Sequence, residues 1–455
     1  MKAFEKSSSI PVSSKELFDY HDRPGALERL LPPWRDAEVL DRSGGIRNGG
    51  RVKVRMRIRP VTRTLTALHH DFIEGKQFVD EQESGPFAAW KHTHRFVPET
   101  SNSSVLTDHI EYRLPGGAVG NAVFGNSVRK ELERMFHFRH ARTRNDLVRQ
   151  APYKGRQKLR IILSGATGLV GSALAPFLTV AGHRVEQLVR GQPRSDEGIE
   201  WDVKSGRIDS ERVNGADALI HLAGKNIAVR WNKANREEIW NSRVPATEKL
   251  CESLARISNP PKTLIVASGI GYYGARGDEL LTEESASGSG FSADICKGWE
   301  AATIPAEQAG IRVIRLRIGV VLAARGGALR KMLLPTRLGL SGPIGSGRQY
   351  LSWIALDDLI GVIHHLLMSP DAHGVFNAVA PEPVRQKEFI QTFARVLHRP
   401  AIAPMPTGAI RLLFGQMGEE MLLSSMRVAP AQLVAANFPF LYRDLESAIR
   451  FEYGG

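Results

Sequence analysis

Residues 159–178 read LRIILSGATGLVGSALAPFL, and this stretch decides the fold. The apolar run LRIIL is a buried strand that passes straight into Gly165-Ala-Thr167-Gly168-Leu169-Val170-Gly171, where a helix begins. Gly165 permits the tight turn, Gly168 lets backbone approach a pyrophosphate, and Gly171 lets the helix pack close to the strand. Unpaired N–H groups and the macrodipole at that helix start favour negative charge. The turn is therefore expected to hold a dinucleotide through residues 165, 167, 168, 169, 170 and 171.

The second strand, HRVEQLVRG at 183–191, selects the dinucleotide. An acidic residue at its end, about 20 residues past the glycines, would hold the ribose 2′-hydroxyl of NAD. Arg190 stands there instead, and a guanidinium suits a 2′-phosphate. NADP is expected over NAD. Asp202, after a third short strand in EWDVKSG, reads either as a contact to the adenine amino group or as an ordinary turn aspartate.

Outward from the glycine turn, the apolar strands ADALIHLAG, KTLIVASG and IRVIRLRIGVVL alternate with helical segments. That order predicts an α/β domain over 159–400, Rossmann-like, with a doubly wound parallel sheet. Residues 401–455 read as a helical C-terminal extension. Upstream, APYKGRQK marks a break near residues 150–158. Ahead of it lie a strand over 2–12, two short helices opened by a serine N-cap, and a run of alternating strands. A long amphipathic helix closes this part. The order over 1–150 is that of an α+β helix-grip domain.

That first part resembles the polyketide-cyclase/START-like superfamily, carried by element order and the long last helix. The resemblance implies a curved sheet wrapped on that helix, enclosing an apolar cavity for a hydrophobic ligand or a partner. His92 and His94 in WKHTHRF share one strand face, with His109 close in sequence. With no clear third ligand they read as a packed or solvated face, and no metal site is expected.

GATGLVG, HLAG at 221–224, ASGIGYYG at 267–274 and GSGRQYLSWIALDDL at 345–359 resemble the extended short-chain dehydrogenase/reductase superfamily. Together with RW, SRVPAT, RIGVVL and GGAL they are most similar to an atypical epimerase-like family of unassigned reaction within it. This covers about residues 159–395, and the segment after it is similar to the domain that usually follows. Some members also carry a START-like domain in front. The resemblance implies that Leu222, Ala223 and Gly224 pass beneath the nicotinamide ribose.

It also implies a Tyr-x-x-x-Lys acid/base pair at the start of a helix. FSADICKGWEAA at 291–302 occupies that place without it. Taking Glu300 as the glutamate that commonly follows puts Ser292 at the tyrosine position and Cys296 at the lysine position. Using Lys297 instead puts Ala293 opposite it. None of the eight tyrosines is followed four residues later by lysine, and Arg243 replaces the usual relay asparagine. Conventional carbonyl reduction or sugar epimerisation by that route is not expected. Candidate catalytic residues are Ser268, Tyr272 and Tyr273, on the loop leaving the fourth strand. Asn226, Arg230, Trp231, Arg243 and Gln349 are candidates for holding a substrate, their arginines and tryptophan suiting an anionic or planar ligand. The expected function is that of an NADP-binding, epimerase-like oxidoreductase acting on a small molecule without that pair; the alternative is a non-enzymatic NADP sensor or ligand carrier acting through partners.

The composition sets the outer limits. The 455 residues are 42% hydrophobic and 24% charged, ordinary for a globular protein. No apolar run reaches the roughly 18 residues of a membrane span. MKAFEKSSSIPVSS lacks a signal h-region, and two cysteines build no disulfide framework, so a cytoplasmic protein is expected. The net charge of +13 is spread through segments such as RVKVRMRIR at 51–59 and RHARTR at 139–144, which read as solvated faces. Nucleic acid is not the expected partner. Oligomeric state leaves no signal.

Overall fold

The computed structural model describes residues 1–58, 61–193 and 195–455. Arg59, part of the basic run at 51–59, lies outside the described residues. The chain divides into two compact units: Met1–Arg156 with 179–182 and 451–455, and the remainder from Gln157 to Arg450.

The first unit is a seven-stranded antiparallel sheet. Its strands are β1 (Lys2–Ile10), β2 (Ala37–Ser43), β3 (Arg51–Ile58), β4 (Val61–Ile73), β5 (Gln77–Ser84), β6 (Ala89–Pro98) and β7 (Ser104–Arg113). They are ordered β1-β7-β6-β5-β4-β3-β2. Helices α1 (Ser14–Asp22) and α2 (Ala26–Leu30) join β1 to β2, and α3 (Gly117–Gln150) closes the unit. Ser13 and Glu16 cap α1 reciprocally, the capping box expected from a serine before a helix. Leu132 and Phe136 of α3 pack with Phe4, Trp90, Ile110 and Tyr112 of the sheet. A second apolar cluster joins Phe78, Phe96 and Leu106 to Leu17 and Phe18 of α1. Basic residues on β3 meet acidic neighbours, Arg51 with Glu83 at 2.9 Å and Arg55 with Glu38 at 2.6 Å.

The second unit is built on seven parallel strands: β8 (Arg160–Ser164), β9 (Arg184–Arg190), β10 (Gly198–Trp201), β11 (Ala218–His221), β12 (Thr263–Gly269), β13 (Arg312–Ile318) and β14 (Gly374–Ala378). The order β10-β9-β8-β11-β12-β13-β14 is doubly wound, reversing direction between β8 and β11. Ligands bind such sheets at that switch, outside the carboxyl ends of the strands. Both faces are covered, so the strands read as continuous apolar runs. Ile161 and Leu163 enter one core with the helix Leu356–Met368, while Ile162 enters the other with the helix Val244–Ala255.

IRVIRLRIGVVL is two strands, not one. Gly319 interrupts it, because a Cβ there would lie 2.7 Å from Val379 and 2.8 Å from the Ser352 carbonyl. Val320–Leu322 then pairs with Trp353–Ala355 instead of the main sheet. In the C-terminal segment, helices span Thr407–Phe414, Ala431–Ala435 and Leu445–Tyr453, and Leu433 and Phe438 enter the same core as β8.

Candidate functional site

The glycine turn follows its sequence logic. Gly165 has φ +73°, and a Cβ on it would meet Leu222 at 2.8 Å and the Ala223 nitrogen at 2.9 Å. A Cβ on Gly171 would stand 2.2 Å from the Gly165 carbonyl oxygen. The turn thus presses on residues 222 and 223 of β11's exit on one side and on the helix Gly171–Val180 on the other. Thr167 and Gly168 are exposed, and Leu169 and Val170 half-buried. One contact was invisible in sequence: a Cβ on Gly326 would lie 2.9 Å from Leu169, so the GGAL glycines pack against the turn.

Arg190 ends β9, exposed. Asp202 follows β10, where its carboxylate accepts from the Lys204 backbone at 3.0 Å and the Ser205 hydroxyl at 2.6 Å. Those are the bonds a turn aspartate makes. Gly224 lies over Arg243, whose Cζ is 3.2 Å from where its Cβ would be. At the end of β11, His221 bridges Ser164 at 2.6 Å and Thr247 at 3.1 Å. Burial holds this imidazole down to about 4, keeping it neutral.

The helix Phe291–Ala301 brings Ser292, Cys296 and Glu300, spaced by four, toward the end of β12. Cys296 Sγ lies 3.7 Å from the Cβ positions of both Gly269 and Gly271, and Ser292 Cβ 3.1 Å from that of Gly271. Glu300 accepts from the Ser268 hydroxyl at 2.8 Å. Lys297 turns away and pairs with Asp294 at 2.8 Å. Ser292, Cys296 and Glu300 therefore share the helix face turned to β12, and Lys297 lies off it. Burial pushes the Cys296 thiol up to about 11, so it is protonated and uncharged at neutral pH.

Sequence reasoning missed Arg317. From β13 it grips Glu300 with two hydrogen bonds, 2.9 and 2.8 Å, and donates to the Tyr273 hydroxyl at 3.0 Å. Tyr273 donates in turn to Asn377 at 2.7 Å. The Arg317 guanidinium also lies 3.4 Å from the ring centre of Tyr272. The clue was an arginine inside a strand buried on both faces, which demands an acidic partner.

The expected tyrosines therefore part company. Tyr273 is fully buried and its phenol is held in the Arg317–Asn377 network, which ties it to the framework and away from proton transfer. Tyr272 is half-buried, its ring against the Arg317 guanidinium that binds Glu300. Trp231, expected to face a substrate, is turned inward: its indole donates to Ile227 and packs against Phe291, because the segment after HLAG needs an apolar anchor. Arg243 is buried as well, donating to the Ile239 carbonyl and lying over Trp299, and burial brings it down to about 10. Gln349 is buried and clamps the carbonyls of Ile344 and Leu422, beside a cavity of about 380 Å³ lined by Asp278, Arg348 and Arg385. Asn226 and Arg230 are exposed, with Asn226 capping the Ala228 backbone.

A parallel, doubly wound sheet with a glycine turn at its switch point defines a nucleotide-cofactor protein of the Rossmann type. Residues 161–379 match the NAD dependent epimerase/dehydratase family, 10–138 the polyketide cyclase / dehydrase and lipid transport family, and 405–452 a domain of unknown function, DUF1731. An epimerase family protein of Mycobacterium tuberculosis is 38% identical over 64% of this chain and 96% of its own. The human epimerase family protein SDR39U1 is 35% identical over 64% of this chain and 99% of its own. A structure of human SDR39U1 (isoform 2) with NADPH superposes with TM-score 0.59, covering 64% of this chain and 98% of that one. A nucleoside-diphosphate sugar epimerase from Corynebacterium glutamicum, 33% identical, matches 99% of this chain and 90% of its own, with TM-score 0.82. The chain belongs to this epimerase family, in the form that carries a START-like domain in front and DUF1731 behind. Among the described residues no helix is long and apolar enough to cross a membrane.

Proposed function

We propose that the protein is an NADP-dependent, epimerase-like oxidoreductase that works on an unidentified small molecule without a Tyr-x-x-x-Lys pair. The observation that carries the cofactor reading is Arg190, exposed at the end of β9 where an NAD enzyme needs a carboxylate. The NADPH in the human relative supports it. The cradle at Gly165, Gly168 and Gly171 suits a pyrophosphate, since side chains at 165 and 171 would collide with backbone.

When bound, NADPH supplies a hydride to a carbonyl carbon. The chain must then deliver one proton to the carbonyl oxygen. Ser292 and a protonated Cys296 stand where the usual pair would, and neither carries the cation that activates a tyrosine. Tyr272, beside the Ser268–Glu300–Arg317 network, is the remaining phenol at that sheet end. Asn226 and Arg230 offer polar groups for substrate binding. In this reading the N-terminal domain holds a hydrophobic ligand, and the protein is cytoplasmic, consistent with two free buried cysteines.

The loss of a charged acid/base pair favours a second reading, NADP as a sensory ligand with no turnover. Binding and turnover separate the two. NADPH should bind about tenfold or more tightly than NADH, and Arg190→Glu should remove that preference. Equal affinities in the parent protein would overturn the cofactor assignment. Consumption of NADPH with a panel of carbonyl compounds, lost in Tyr272→Phe, supports the enzyme. Tight binding with no consumption supports the sensor.

A further inference from the structure

The inner face of the N-terminal sheet is apolar at both ends and polar in the middle. Phe78, Phe96 and Leu106 lie to one side, Trp90, Ile110 and Tyr112 to the other. Between them stand Asp80 on β5, His92 and His94 on β6 and Asp108 on β7, with His140 reaching in from α3. His92, His94, Asp108 and His140 are buried, and Asp80 is nearly so. Groups of this kind inside an apolar layer cost several kcal/mol each unless something answers them.

Their arrangement has two sides. On one, Asp80 Oδ2 lies 3.3 Å from His92 Nδ1 and 3.0 Å from His94 Nε2. On the other, Asp108 Oδ1 lies 2.9 Å from His92 Nε2 and 2.7 Å from His94 Nδ1, while its Oδ2 lies 2.7 Å from His140 Nε2. One donor atom from each of Asp80, His92 and His94 falls within 4.8 Å of the others. Ligand atoms about 2.0–2.1 Å from one tetrahedral ion stand about 3.3 Å apart, close to the two measured separations. A carboxylate on the far nitrogen of a ligating imidazole is the usual orienting partner, and Asp108 is placed to be that for His92.

A closed hydrogen-bond network would account for the cluster less completely. His94 Nδ1, although 2.7 Å from Asp108, makes no aligned hydrogen bond. His69 stands directly across from Asp80 on β4, more than nine-tenths buried, and its Nδ1 has no hydrogen-bond partner among the described residues. In sequence the His-x-His pair lacked a third donor. The register between β5 and β6, which sets Asp80 opposite His92, supplies it. His109 takes no part, being paired with Glu5 at 3.0 Å in an exposed position.

We infer that Asp80, His92 and His94 form a site for one borderline divalent cation of the Zn²⁺ class inside the N-terminal domain, with Asp108 and His140 behind it. Two imidazoles and one carboxylate favour such an ion over Mg²⁺ or Ca²⁺, which take oxygen ligands. Three protein ligands leave a coordination position open for water or a ligand oxygen.

The test uses the full-length, untagged chain, stripped with a chelator, freed of it and titrated with Co²⁺. The expected result is saturation at about one equivalent, a visible absorption band that Zn²⁺ displaces, and a higher melting temperature with Zn²⁺. Asp80→Asn and His94→Gln should each weaken Co²⁺ binding about tenfold or more, and His109→Gln should leave it unchanged. No saturable Co²⁺ binding by the parent protein, or binding kept within about twofold in both site variants, would overturn the assignment. If circular dichroism shows both variants unfolded, the Co²⁺-loaded parent decides: strongly shifted imidazole N–H proton resonances support the site, and their absence refutes it.

Discussion

Arg317 lies in a strand covered on both faces, with its side chain 4% exposed and that of Glu300 11% exposed. A pair buried to that degree contributes little over an apolar replacement, yet breaking it is costly, because the partner is left as an unanswered charge. Arg317→Met should therefore destabilise by about 3–5 kcal/mol in urea denaturation, and the double change with Glu300→Met should recover most of that. A single change within about 0.5 kcal/mol of the parent would refute the network's role. Single side chains were the least legible scale. Gly165 and Gly171 were readable because backbone sterics allow few reasons for glycine there. Trp231 and Tyr273 were not, since an aromatic residue beside a motif suits a pocket wall and a packed core equally, and only the fold tells them apart.

For the elements, periodicity and punctuation carried most of the information. Six of the seven parallel strands, α1 with its serine cap and the long α3 followed from apolar runs and capping residues, while the short edge strand Gly374–Ala378 did not. The split of IRVIRLRIGVVL did not, because the cause is a close approach by residues 352 and 379, distant in sequence. The glycine turn gives the prediction at this scale. In Gly171→Ala the new methyl must displace the Gly165 carbonyl, now 2.2 Å from its position, and so reshape the pyrophosphate cradle. NADPH affinity should fall at least about tenfold, with a stability loss of about 1–3 kcal/mol. Unchanged affinity by calorimetry would remove the turn from the binding site.

At the scale of the whole molecule, composition and motif order indicated an α+β part followed by an α/β part. The polar centre of the first part stayed hidden, since its donors come from three strands and a helix. Acid should act strongly on the second unit. His183 and His221 are both held down to about 4 by burial, against 6.5 when free. Both are neutral in either state above pH 6.5. As pH falls from 6.5 towards 4 the unfolded chain takes up protons that the folded one refuses, removing about 3 kcal/mol per histidine. Replacing His221 with asparagine should flatten that limb of the stability–pH curve in chemical denaturation, whatever it does at neutral pH. The two cysteines offer a way to follow such losses. Both belong to the second unit, both are buried, and burial pushes their thiols up to about 12 at Cys251 and about 11 at Cys296. In the folded state they are shielded from alkylating reagents, and the first unit has no thiol at all. A maleimide dye thus clocks the opening of the Rossmann unit alone, with no label engineered into the chain.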